Sequence, residues 1–184
     1  MALTQYSTFS YITIMNYKLA AGLVVWLAWG ASAQSREHAE AGFTLRLSWP
    51  PSVVFPLFGP IRESEWSPHW NPTMLYPPDR VQKAGSVFTT REHDQDVVWI
   101  LTVYDEAALR ISYVIVSPQR SVALLDIALK AVGDKETEAT VTHQLTSLSE
   151  AGDGKLKQFA SEFPLERDHW QQAITRRLRE LTEH

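Results

Sequence analysis

The last thirty residues carry the pattern that most restricts this chain. Leu156, Phe159, Phe163, Trp170, Ile174, Leu178 and Leu181 recur at helical spacing, which predicts a long helix with one apolar stripe. Such a helix must bury its stripe against another layer. Pro164 falls inside the stripe and predicts a kink or restart there, because proline supplies no N–H to the helix ladder.

The layer it needs is written in the segments before it, which alternate with a period of two. In Phe43–Trp49, the residues Phe43, Leu45, Leu47 and Trp49 share one side, as in a half-buried strand. Pro50-Pro51 stops that strand. Pro51 then opens a short helix over 51–58, and a second short helix follows Gly59-Pro60. Further strands are predicted at 86–91, 97–104, 109–116, 121–132 and 137–148, separated by turns such as GDKE (133–136). Successive hairpins imply an antiparallel sheet. The fold class is α+β: a curved antiparallel sheet of about six or seven strands wrapped round a long C-terminal helix, with two short helices after the first strand.

Residues 1–33 stand apart. Lys18 precedes an apolar run, Leu19–Trp29, which ends at Ala31-Ser32-Ala33. That is the layout of a cleaved secretory leader, with Met15 an alternative start. The run is short for a bilayer core of about 30 Å, so the expected product is periplasmic or secreted. An uncleaved, membrane-anchored form is the alternative. Residues 34–42 read as a flexible lead-in, and 43–184 as the domain. There is no cysteine, which excludes a lipid-modified cysteine and leaves stability to the core. Removing Lys18 takes the net charge from −4 to −5. That balance argues against nucleic acid and anionic membrane as partners. No stable membrane insertion is expected after cleavage.

The stretch EWSPHWNPTMLYPP (65–78) holds two tryptophans, a histidine and four prolines. Residues before proline are pushed toward extended conformations, so it reads as an irregular strap or short strand. Together with PPSVVFPLF, AGSVF, VVWILTVYDEAALRISYV and THQLTSLSEAGDGKLKQF, it resembles the helix-grip START-like (SRPBCC) superfamily, of the polyketide cyclase/dehydrase and lipid-transport type, over residues 43–182. The resemblance implies an apolar cavity between sheet and C-terminal helix. It does not imply one activity, since such a fold hosts carriers, sensors and enzymes.

The candidate ligand-binding residues follow from parity and placement. His143 shares its side with Ala139, Val141 and Leu145 and is expected to face inward, either as a ligand contact or as a packed core-edge histidine. Tyr113 goes with Ile111 and Ile115. Trp99 and Tyr104 fall on opposite parities of one strand, so only Trp99 is expected inside. Trp66, His69 and Trp70 lie in the strap, at the cavity rim or closing the core. Phe163 and Trp170 come from the helix stripe and either contact a ligand or fill the space. Glu166 and Arg167 interrupt the stripe, either placing a charge at the cavity or standing exposed where Pro164 resets the phase. REHDQD (91–96) and ERDH (166–169) lack the spacing of a metal site. No metal or cofactor is expected, and the catalytic residues are unknown. Three readings follow: a binder of a hydrophobic small molecule or lipid, a cyclase/dehydratase-like enzyme pairing His143 or His69 with a tyrosine, and an interaction module with a filled core.

Overall fold

The computed structural model describes residues 35–92 and 94–183, so the expected leader lies outside them. Its strands are β1 (His38–Leu47), β2 (Thr73–Tyr76), β3 (Val87–Glu92), β4 (Gln95–Asp105), β5 (Arg110–Ser117), β6 (Ser121–Gly133) and β7 (Glu136–Ser147). They form one sheet in the order β1-β7-β6-β5-β4-β3-β2. Every neighbouring pair is antiparallel. The hairpin succession expected from the turns is thus a meander from β2 to β7, and β1 closes onto its far edge.

Two details depart from the sequence reading. β1 begins at His38, inside the expected lead-in, because Ala39 and Ala41 continue the inward parity of Phe43 opposite Leu145 and His143. Alanine is too small to register as hydrophobic alternation, yet it fits a covered strand end. The other departure is a bulge in β4. Leu101 pairs with Tyr113 and Val103 with Ser112, leaving Thr102 as an extra residue. A bulge shifts the phase of every later side chain. Tyr104 therefore pairs with Ile111 and packs on Phe55 at 5.1 Å. Trp99 and Tyr104 both face inward, where alternation admits only one.

The covering layer has two parts. α1 (Pro51–Val54) runs into one turn of 3₁₀ helix, Phe55–Phe58, and a second such turn spans Arg62–Glu65. The C-terminal stripe forms α2 (Glu150–Glu162) and α3 (Arg167–Thr182), joined by a 3₁₀ turn at Phe163–Glu166. The break falls at Pro164. The stripe's Leu156, Phe163, Ile174 and Leu178 are buried against the inner sheet face. Gln34–His184 form one compact unit. No helix among the described residues is long and apolar enough to cross a membrane.

Candidate functional site

The inner face has two ends. At one end the short helices close the fold. A helix of four residues makes too few internal bonds to hold itself, and its carbonyls need other donors. Two aromatic side chains supply them to the first 3₁₀ turn, and a third bonds the linker after it. Trp66 Nε1–H donates to the Leu57 carbonyl at 2.7 Å, Trp70 Nε1–H to Pro60 at 2.6 Å, and Tyr113 O–H to Phe58 at 2.9 Å. Gln82 adds a fourth tie by accepting from the Ile61 N–H at 2.8 Å. The tryptophan–proline stretch is therefore a strap. Trp66 is buried and packs edge-on against Trp170, with ring centres 5.1 Å apart.

At the other end, α2 stands off the sheet and leaves a cavity of about 280 Å³. Its floor is one cross-strand row. Trp99 pairs with Ile115, Ile115 with Ala123, and Ala123 with Leu145. Ala123 is the small member of that row, and its missing side-chain volume opens the floor. Leu156 and Phe159 of α2 form the roof. Trp99 is fixed by donating its Nε1–H to Thr90 Oγ1 at 2.9 Å.

His143 borders this cavity. Its ring lies 4.8 Å from Phe163 and 5.3 Å from Phe159. Nδ1 is buried and has no hydrogen-bond partner among the described residues. Burial among these rings penalises the charged form and pushes the imidazole down to about 4, so His143 is neutral at pH 7. A neutral imidazole offers one donor and one acceptor, and an unpaired buried polar atom is a costly exception to the usual pairing.

The mouth is built from three elements. The β3–β4 hairpin brings Glu92, the β5–β6 turn brings Ser117, Arg120 and Ser121, and the first turns of α2 bring Gly152 and Lys155. Arg120 donates to Gln95 Oε1 at 2.9 Å. Its backbone is held tightly. The Arg120 carbonyl accepts from Leu148 N–H at 2.9 Å, and the neighbouring Gln119 carbonyl accepts from Ser149 Oγ at 2.6 Å. Ser149 also caps α2, accepting from the Gly152 N–H at 3.2 Å. Gly152 is needed here because a Cβ would collide with the Arg120 carbonyl and meet Ser147 Oγ at 2.6 Å.

Of the eight candidates, Trp99 and His143 reach the cavity wall. Trp70 backs Trp99 at 5.0 Å, and Tyr113 lies 5.9 Å from it. Phe163 stands behind His143 and Phe159, stacking on Phe159 at 4.9 Å. Trp66 and Trp170 belong to the closed end, and His69 is exposed. Tyr113 and His143 occupy one row with Leu125 between them. Two strand spacings separate them by about 10 Å, so they do not form a hydrogen-bonded pair. Sequence reasoning missed Arg120 and Lys155, which read as turn and helix-surface residues. It also missed Glu63, which has no side-chain hydrogen bond among the described residues and whose carboxyl burial pushes up to about 8.

No protein-family model matches the sequence, and no curated protein matches it. Solved structures do match in shape. A START superfamily protein from Mycobacterium smegmatis aligns with a TM-score of 0.59 at 15% identity, over 79% of this chain and 100% of its own. Ara h 8.0201 aligns at 0.57 and 14%, over 78% and 99%. Zhui aromatase/cyclase from Streptomyces sp. R1128 aligns at 0.55 and 12%, over 78% and 94%. The START-like, helix-grip fold expected from the sequence is therefore the fold of this chain.

Proposed function

We propose that this domain binds one small hydrophobic molecule in the cavity between the β4–β7 face of the sheet and α2. The observation that carries this reading is the Trp99–Ile115–Ala123–Leu145 floor facing Leu156 and Phe159, with His143 on its wall. Apolar burial supplies affinity in such a site, and a few polar groups set orientation. The neutral His143 is suited to a hydroxyl or carbonyl on the ligand. The volume of about 280 Å³ lies just below the roughly 300–1,000 Å³ typical of ligand pockets. That favours an aromatic or short-chain molecule over a two-chain lipid.

The cyclase-type reading has less support. It needs a positioned acid–base pair, and the Tyr113 hydroxyl is committed to the Phe58 carbonyl. Among the described residues, His143 has no hydrogen-bonded carboxylate or tyrosine. We further propose that binding occurs outside the cytoplasm after removal of residues 1–33. The intact mass of the protein from its native host tests this, with Gln34 expected as the first residue.

Native mass spectrometry of Gln34–His184 tests the binding reading. An adduct that dissociates on denaturation is expected, as is its loss in Ala123→Phe, where the new ring fills the floor. No uptake across a panel of apolar and aromatic compounds would remove the reading.

A further inference from the structure

The chemistry of the mouth goes a step beyond an apolar ligand, and the inference rests on the binding reading above. We propose that the cavity takes an amphipathic monoanion, with its apolar body on the Trp99–Leu145 floor and its single acidic group at the mouth between Arg120 and Lys155.

Three observations lead there. The wall divides by polarity, with apolar side chains on floor and roof and the charged groups Glu92, Arg120 and Lys155 among its lining. A ligand that fills such a site has one apolar and one charged end. The sign follows from the groups present. Two cations and one carboxylate leave the mouth at +1, in a chain whose net charge is −4. Neither cation belongs to an ion pair among the described residues. A ligand amine would meet two like charges. A doubly charged phosphate would exceed the available positive charge and face Glu92. One negative charge matches.

The third observation is that Arg120 is held in place. Its own carbonyl is bonded to Leu148, the preceding carbonyl to Ser149, and Gly152 lets the first turn of α2 lie directly on it. Gln95 engages its guanidinium, leaving the other N–H groups free for a bidentate acceptor. A turn fixed at this many points loses little entropy when a ligand docks, which is the condition for a useful polar contact. His143 adds a polar group deeper in the wall, so the expected ligand also carries a hydroxyl or carbonyl along its body.

Two fluorescent probes separate the charge from the apolar body. 1-Anilinonaphthalene-8-sulfonate and N-phenyl-1-naphthylamine share a ring skeleton and differ by one sulfonate. With Gln34–His184 at low salt, the sulfonate is expected to bind about tenfold tighter, the effect of a partly shielded charge contact. Added salt should narrow the gap. In R120Q/K155Q the two affinities should converge, through loss of the sulfonate's advantage. Both substitutions are at the rim, so the fold should persist. Equal affinities in the wild type, or a sulfonate affinity unmoved by the double substitution, would overturn the anionic inference and leave the apolar cavity standing. Failure of both probes to bind would overturn the cavity reading and this inference with it.

Discussion

The two ends of the inner face differ in how their buried rings are bonded. At the strap end, Trp66, Trp70 and Tyr113 each donate to a backbone carbonyl of the Leu57–Pro60 segment. At the α2 end, His143 keeps Nδ1 unpaired against a cavity. The comparison shows what each end is for. Short helices cannot satisfy their own carbonyls, so aromatic donors complete the fold there. The α2 end already has a capped helix of thirteen residues, and His143 Nδ1 remains available.

The largest expected difference lies in stability. Trp66→Ala removes a buried indole and its bond to Leu57, and should cost about 3–5 kcal/mol. Phe159→Ala removes a half-buried ring that borders open space, and should cost less than half as much. Thermal or denaturant unfolding of both variants checks the contrast, and equal losses would break it.

Each end also holds a group that burial displaces toward its neutral form, Glu63 upward and His143 downward. Glu63 lies in the 3₁₀ turn that leads into the strap, with its carboxyl at about 8 against an ordinary 4.5. The unfolded chain ionises first, so the penalty is absent below about pH 4.5, grows as pH rises, and levels off above about 8. His143 stands at about 4 against an ordinary 6.5. Its penalty is absent above about pH 6.5 and grows as pH falls toward 4. At about 1.4 kcal/mol per pH unit, each contributes on the order of 2–3 kcal/mol after allowance for local relaxation. Stability curves of Glu63→Gln and His143→Gln should each lose one limb, alkaline for the first and acid for the second. If one substitution flattens both limbs, the ends are not independent.

A smaller effect tests the anchoring of the mouth. Gly152→Ala forces a Cβ against the Arg120 carbonyl. It should cost about 1–3 kcal/mol and weaken binding of the anionic probe more than the neutral one. The smallest effect should come from His69→Ala. His69 is exposed, so its stability should change by less than about 0.5 kcal/mol, with probe binding unaltered.

How much of this was legible depends on whether a feature is local. Parity placed His143 and Tyr113 inside, because alternation along a strand is fixed by backbone geometry. The same rule failed for Tyr104, since a bulge is decided by what the neighbouring strand offers as a partner. The strap was readable as a strap from its prolines, but the carbonyls receiving its tryptophans were not. Glu63 lies in a single 3₁₀ turn, too short to show which of its faces is buried.

By itself the sequence determined the layers: period-two segments joined by turns, then a helical stripe broken at Pro164. These are short-range properties, set by steric preference and by which face of each element is apolar. Tertiary structure decided the site. The cavity exists because Ala123 meets Trp99, Ile115 and Leu145 in one row, under a helix that Gly152 lets settle on the Arg120 turn. That row joins residues from four strands, and the mouth joins two hairpin turns to a helix start. Their charges become one electrostatic feature only after the chain has closed, because Coulomb interaction and burial depend on distance in space and not on distance along the sequence.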